Sequence, residues 1–191
     1  MIWLSAHKDV VFHPFKFSYS NAVFTGLLDN FIGILTSLVV TEDPNLILIE
    51  KRGKIKLHFG DSEEWGTLIN MPTLKKEDIV LVIDVASGTQ YKNIDVSLEN
   101  ISGFTKEKIT ELKESLQWEG FKIKTKVYDG NPDDEDEAWY WREKKIPVIS
   151  FIIPINDGSK DTGWHVDNCT MQVEKLVKSK QILKRLINYL L

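Results

Sequence analysis

The sequence predicts an α/β fold in which a mostly parallel sheet is sandwiched by helices. Strand-like runs alternate along the chain with amphipathic helical segments, which is the order expected of parallel strands joined by helical crossovers. Two of the runs, 79–83 and 147–153, are almost wholly apolar, as strands are when helices cover both of their faces. The 191 residues show no internal repeat and no linker, so we expect one domain spanning 1–191.

The predicted elements of the first half begin with a strand over residues 2–6, a short apolar run. A helix is predicted over 29–40, because apolar residues recur there at helical spacing on one face and Asp29 precedes them as an N-cap or first-turn acid. Strands are predicted next over 46–49, which is apolar, and over 55–59, where apolar and polar residues alternate as on a half-exposed strand.

Periodicity and stop signals define the elements of the second half. Apolar residues recur at helical spacing over 105–118, and Gly120 ends that helix. Acids at the start and bases at the end of 133–145 predict a helix that matches its macrodipole, and we interpret its acidic start, 133–137, as solvated. The remaining predicted elements are strands at 79–83, 93–98, 121–127 and 147–153, a polar loop at 154–168 and a helix from about Met171.

Charge and cysteine content exclude several classes of protein. The net charge is −4 and no stripe rich in Lys and Arg occurs, so nucleic acid is not an expected partner. Cys169 is the only cysteine and cannot form an internal disulfide, which predicts a cytoplasmic protein. The longest apolar-rich stretch, 31–40, is too short to cross a bilayer, and the first residues lack the features of a signal peptide. We therefore expect no membrane association.

Histidines and acids follow the predicted strand ends. They are His7 and Asp9 after the first strand, Asp29 at the first helix, Asp61, Glu63 and Glu64 after 55–59, Asp84 after 79–83, and His165 in the loop after 147–153. In open α/β sheets, functional groups gather beyond the carboxyl ends of the strands. We therefore expect these side chains to converge on one edge of the sheet.

Glu63 and Glu64 raise an electrostatic problem, because adjacent carboxylates repel each other and are costly to bury without a proton, a cation or strong hydrogen bonds. The cost grows when acids from other strand ends join them. Two histidines and several carboxylates suit a pair of divalent cations, since imidazole and carboxylate are standard zinc ligands. Two metal ions about 3.5–4 Å apart, bridged by a carboxylate, form a usual hydrolytic centre.

Five short motifs occur in a defined order along the chain. They are Ala6-His7-Lys8-Asp9, then Asp29-Asn30 followed by Gly33, then Glu63-Glu64-Trp65-Gly66, then Ile83-Asp84, and last Gly163-Trp164-His165. This order resembles that of the co-catalytic zinc exopeptidases, a family that includes the bacterial leucyl aminopeptidases, the glutamyl aminopeptidases and related carboxypeptidases and deacylases. The resemblance extends over nearly the whole chain.

The resemblance implies two metal ions with separate ligands. His7, Asp29 and Asp84 would hold the first ion. Asp29, Glu64 and His165 would hold the second, so that Asp29 bridges the pair. The implied cofactor is zinc (Zn²⁺), with two ions per chain as in other co-catalytic centres, and other divalent metals remain open.

The resemblance also implies two residues that assist without binding metal. Glu63 would act as the general base, taking a proton from the metal-activated water and returning it to the leaving amine. Asp9 would orient His7 through the ring nitrogen that does not bind metal. The implied reaction is hydrolysis of a peptide bond at a chain end, as in an aminopeptidase, on a peptide or N-acyl amino-acid substrate.

The chain departs from the family pattern in its length. His7 stands almost at the start, whereas relatives have several dozen residues before the corresponding histidine. The segment 84–121 is too short for the lid or dimerisation domain that many relatives carry. We therefore expect a shortened catalytic core without a lid, in which a second copy of the chain, in a homo-oligomer, would cover the exposed sheet edge.

Two alternatives stay open beside the aminopeptidase. One is a deacylase or carboxypeptidase built on the same metal centre. The other is a non-catalytic relative that binds a peptide or a metal. Several further residues are given structural roles: His13 and His58 as structural or surface histidines, Trp139, Tyr140 and Trp141 as packing residues, and Cys169 as a small buried residue.

Overall fold

The computed structural model describes residues 1–7, 17–26, 28, 31–42, 53–60, 70–130, 136–156 and 169–191. Its strands are β1 (Ile2–His7), β2 (Phe17–Ser20), β3 (Val23–Gly26), β4 (Ile55–Gly60), β5 (Ile79–Ala86), β6 (Val96–Ser102), β7 (Ile123–Val127), β8 (Val148–Pro154) and β9 (Cys169–Gln172). Its α-helices are α1 (Phe31–Glu42), α2 (Lys106–Trp118), α3 (Ala138–Glu143) and α4 (Val173–Leu190).

The central sheet has six strands in the order β4-β1-β5-β8-β6-β7. Neighbouring strands run parallel except β6 and β8, which pair antiparallel. A smaller antiparallel sheet, in the order β2-β3-β9, lies beside it. The predicted α/β class with a mostly parallel sheet is therefore confirmed.

Helices cover both faces of the central sheet, and each face has its own apolar cluster. Buried residues of α1, α2 and α4 pack in the larger cluster with alternate strand residues such as Leu4, Ile83 and Phe151. On the opposite face, α3 contributes Ala138 and Trp141 to a smaller cluster. We call this second surface the α3 face. Because side chains alternate along a strand, Ser5 and His7 lie on the α3 face, whereas Leu4 lies on the other.

Local signals explain where α2 begins and ends. The Thr105 hydroxyl accepts a hydrogen bond from the Lys108 backbone N–H, which caps the first turn. Glu107 in the first turn complements the helix dipole. Gly120 has φ of +83°, a left-handed conformation that glycine adopts without strain, and the chain leaves the helix there.

Several predicted boundaries differ from the observed ones. The helix predicted at 133–145 is observed at Ala138–Glu143, and Asp136 and Glu137 before it are buried, so the solvated start is wrong for these two residues. The last helix begins at Val173 because Cys169–Gln172 pairs with β3 as a strand. The hairpin of β2 and β3 was not predicted. The predicted strand at 46–49 lies outside the described residues.

Among the helices that the structure describes, none is both long enough and apolar enough to cross a membrane.

Candidate metal centre

His7 and Asp84 come together at the ends of two neighbouring parallel strands. In the pairing of β1 with β5, Ser5 lies opposite Val82, so His7 and Asp84, two positions further, are level on the α3 face. His7 Nε2 lies 3.6 Å from Asp84 Oδ1, and the two side chains are 3% and 15% exposed. A separation of 3.6 Å is too long for a direct hydrogen bond. It suits two atoms that face a common third partner.

Asp84 is held in place from its own strand and from α1. Its Oδ1 accepts a hydrogen bond of 2.7 Å from the Val85 backbone N–H. On the opposite face, α1 approaches the backbone of β5 at Gly33, where an added Cβ would lie 2.4 Å from the carbonyl oxygen of Ile83. This close approach explains why Gly33, the glycine of the Asp29-Asn30 motif, has no side chain. It lets the helix pack against the strand residue that precedes Asp84.

Asp136 places a further carboxyl group close to Asp84. It lies just before α3 and accepts a hydrogen bond of 2.8 Å from the Ala138 backbone N–H. Burial, together with the negative charge of Asp84, raises the pKa of Asp136 to about 6, against the lowering effect of its hydrogen bonds. The α3 face therefore carries two neighbouring acids, one of which resists ionisation. A cation beside Asp84 would relieve this repulsion.

Glu137 belongs to a second buried polar cluster, beneath the ends of β1 and β4. The Ser5 hydroxyl donates to Glu137 Oε2 at 2.8 Å and lies 2.9 Å from His58 Nδ1. His58 Nε2 lies 3.3 Å from the Asn70 carbonyl oxygen. Burial lowers the pKa of His58, against the hydrogen bond to Asn70. We call Ser5, His58 and Glu137 the β1–β4 cluster.

The β1–β4 cluster has no arrangement for nucleophilic catalysis. The serine hydroxyl lies between the imidazole and the carboxylate, whereas a serine nucleophile needs the imidazole in the middle. Ser5 is fully buried and cannot meet a substrate. His58 also packs edge-on against Trp141, with ring centroids 6.2 Å apart. The predicted structural roles of His58 and Trp141 agree with this packing, and Cys169 is buried as predicted.

The other predicted site residues, Asp9, Asp29, Glu63, Glu64 and His165, lie outside the described residues. The described residues come close to the two glutamates in sequence. Gly60, the last residue of β4, precedes Glu63 by three positions and pairs with His7. In the part of the chain that the structure describes, no group of three or more His, Cys, Asp or Glu side chains forms a metal site. His7 and Asp84 are thus the described part of the predicted ligand set.

A cleft of about 1140 Å³ opens beyond the carboxyl ends of β5 and β8. Gly88, Tyr91, Asn156 and Met171 are among the residues that line it. Lys175, at the start of α4, also lines it and donates a hydrogen bond to the Ile94 carbonyl oxygen. The cleft begins a few residues past Asp84 in sequence, at Gly88.

Ser5, Asp136 and Glu137 were not among the predicted site residues. The serine lies in an apolar strand, and the two acids lie in an acidic run of a kind that is usually solvated. The one available signal was the position of Ser5 between apolar neighbours in a strand predicted to be buried. A buried hydroxyl needs a hydrogen-bond partner.

No family model matches the chain, and no curated protein matches it significantly. Solved structures do match it. Aminopeptidase I from Clostridium acetobutylicum has a TM-score of 0.59 and 17% identity, over 91% of this chain and 46% of that protein. PhTET1-12s, solved as a dodecamer, has a TM-score of 0.56 and 13% identity, over 90% and 53%. Aminopeptidase APDkam598 from Desulfurococcus kamchatkensis has a TM-score of 0.57 and 11% identity, over 92% and 53%.

The chain has the fold of these solved structures, two of which are named as aminopeptidases. Identities of 11–17% show the likeness of fold and nothing finer. The chain spans about half the length of the solved structures it matches, since it covers 46–53% of these three. The predicted α/β fold with a mostly parallel sheet is therefore the fold of these structures.

Proposed function

We propose that the chain is a metal-dependent hydrolase that cleaves peptide bonds at a chain end, in the manner of an aminopeptidase. The observation that carries the proposal is the 3.6 Å approach of His7 Nε2 to Asp84 Oδ1, at neighbouring strand ends of a fold shared with aminopeptidases. The proposed catalytic unit is the single domain 1–191.

The described donor atoms fit zinc. Two atoms that each lie 2.0–2.1 Å from a tetrahedral zinc ion are about 3.3 Å apart, close to the observed 3.6 Å between His7 and Asp84. In the proposal, Asp29 completes this ligand group and also bridges to a second group with Glu64 and His165. When bound, the metal supplies an acidic water and polarises the scissile carbonyl.

Glu63 is the proposed general base. It stands beside the ligand Glu64 in sequence but holds no metal in the proposal, so its carboxylate is free to accept the water proton and pass it to the leaving amine. Asp9 is proposed to hold the second ring nitrogen of His7 and so fix the orientation of the imidazole. Burial of His7 supports this division of roles, since an imidazole shielded from water keeps one orientation.

The cleft beyond β5 and β8 is the proposed binding place for the substrate chain. It lies next to the strand end that holds Asp84, and its 1140 Å³ volume accommodates several residues of a peptide. A homo-oligomer is also proposed, because within the described strands β4 has a partner on one side only, and an edge strand favours covering by a second chain.

A matched pair of variants tests the mechanism. Glu63→Gln removes the base and leaves the ligands, so we expect it to retain metal and to lose at least about a hundredfold in kcat. Glu64→Gln removes a ligand, so we expect lower zinc content as well as lower activity. Both are measured on chromogenic aminoacyl, peptidyl and N-acyl substrates, with zinc determined on the same samples.

Each outcome decides something. Full activity of Glu63→Gln would show that the mechanism is wrong. Turnover confined to N-acyl substrates would identify a deacylase on the same centre. Zinc binding without turnover of any substrate in the panel would identify a non-catalytic relative.

A further inference from the structure

Glu137 is fully buried although it carries a carboxyl group and precedes a helix of only six residues. Its side chain makes no cap hydrogen bond to its own helix. Its Oε2 instead accepts the Ser5 hydroxyl at 2.8 Å, across 132 positions of sequence. A buried carboxyl group is costly, and a short helix could begin without it. Capping of α3 therefore does not explain why Glu137 is buried against β1 and β4.

The β1–β4 cluster joins two strand ends to each other. Ser5 and His58 are direct register partners in the parallel pairing of the two strands. Their side chains lie 2.9 Å apart, between Ser5 Oγ and His58 Nδ1. Glu137 binds this pair from the α3 side through Ser5. Since β4 is the edge strand of the central sheet, it has a strand partner on one side only in the described sheet.

Glu137 also fills the space beside Gly60, the last residue of β4. A Cβ added at position 60 would lie 2.8 Å from Glu137 Oε1 and 3.4 Å from His58 Cε1. Gly60 therefore leaves room for the carboxylate. One oxygen of Glu137 contacts Ser5 and the other lies against the β4 backbone, so the side chain spans from the middle of β1 to the end of β4.

We propose that Glu137 is a positioning residue that fixes the carboxyl end of β4 against β1, beside the proposed ligand His7. Gly60 pairs with His7, and in sequence it precedes the proposed base Glu63 and the proposed ligand Glu64 by three and four positions, so a shift of Gly60 disturbs the strand end beside His7. The inference rests on the proposed function for its effect on metal, but the fixing of β4 does not depend on metal. A displacement of about 1 Å is enough to cost large factors in rate.

A double-mutant cycle between positions 60 and 137 tests the contact. We expect Glu137→Ala to weaken zinc affinity about tenfold by freeing the strand end, and Gly60→Ala to do so about tenfold by displacing the carboxylate. In the double variant the new methyl group occupies space that the lost side chain vacates. The combined loss should therefore be about tenfold and not the hundredfold expected of independent sites. Zinc affinity is measured by competition with a chromophoric chelator.

Three readouts separate positioning from general damage. Glu137→Gln keeps the size of the side chain and an oxygen that accepts the Ser5 hydroxyl, so we expect it to recover most of the zinc affinity that Glu137→Ala loses. In active protein, kcat should fall with KM unchanged, because Glu137 does not line the cleft proposed to bind the substrate. Amide exchange of residues 55–60 in metal-free protein should be about tenfold faster in Glu137→Ala. Glu143→Gln, exposed on the same helix, should match the wild type.

The failure of this inference is distinct from the failure of the proposed function. If the wild type binds no zinc, the proposed function is wrong, and amide exchange of residues 55–60 still decides whether Glu137 fixes β4. If the wild type binds zinc and Glu137→Ala binds it equally well with unchanged exchange, the inference alone is wrong. Fully multiplicative effects of the two substitutions would also overturn it, since they would show that positions 60 and 137 act independently.

Discussion

Gly33 of α1 lies against the carbonyl oxygen of Ile83 in β5, so closely that a Cβ at position 33 would come within 2.4 Å of that oxygen. No side chain fits in this contact without a shift of backbone, because the obstructing atom belongs to the strand itself. Asp84 is the next residue of the strand. The helix that follows Asp29 in sequence is thereby packed against the strand that carries Asp84.

Gly33→Ala should be destabilising for this reason. The added methyl group forces α1 away from β5, and overpacking of this kind costs about 2 kcal/mol. Gly53→Ala is the matched control, since nothing lies within 4 Å of a Cβ built there, and we expect a change within about 0.5 kcal/mol. Chemical denaturation of the metal-free proteins measures both.

The same substitution should also affect the metal centre. Displacement of β5 at Ile83 moves Asp84, so Gly33→Ala should weaken zinc binding while Gly53→Ala leaves it unchanged. Equal stability of the two variants would contradict the close packing of α1 on β5.

Asp136 predicts a pH dependence of stability in the metal-free protein. Its pKa is raised from 3.8 to about 6, chiefly by burial and further by Asp84. Between these values the folded state holds the proton more tightly than the unfolded state, so stability is lost as pH rises from about 4 to about 6. A shift of about two units corresponds to about 3 kcal/mol.

Asp136→Asn isolates this contribution, because asparagine keeps an oxygen that can accept the Ala138 N–H and has no proton to lose. Stability is measured from pH 4 to pH 7 in the presence of a chelator. The wild type should lose stability relative to Asp136→Asn as the pH rises. Parallel curves for the two proteins would contradict the raised pKa.

Buried strands were the most predictable part of the fold. The run predicted at 147–153 is observed at Val148–Pro154, because a strand covered on both faces leaves an apolar signature at every position. The helix predicted at 105–118 is observed at Lys106–Trp118, where Thr105 and Gly120 mark its ends by local chemistry. In such segments the sequence alone carries the structural information.

Elements that depend on distant contacts were less predictable. Asp136 and Glu137 have the local pattern of a solvated helix start, and their burial depends on groups such as Ser5, which lies 132 positions from Glu137. Cys169–Gln172 continues smoothly into a helical pattern, and it forms a strand because β3 is available for pairing. Neither effect has a signature within a few residues of sequence.

Only part of the candidate site could be predicted from the sequence. His7 and Asp84 were predicted to meet because parallel strands end at one edge, and they do lie 3.6 Å apart. The roles of Asp9, Asp29, Glu63, Glu64 and His165 stay predictions. The carboxyl groups of Asp136 and Glu137 on the α3 face were predicted to be solvated, because no chemical motif contains them, and they are buried.

The zinc content of the purified protein, compared with that of His7→Ala and Asp84→Asn, tests most directly whether His7 and Asp84 share a metal. We expect two zinc ions per wild-type chain, as in other co-catalytic centres, and a loss of about one ion in each variant with the fold retained. Glu143→Gln, exposed at the end of α3, should match the wild type. A wild-type protein that takes up no divalent metal, or variants that bind it as the wild type does, would contradict the account.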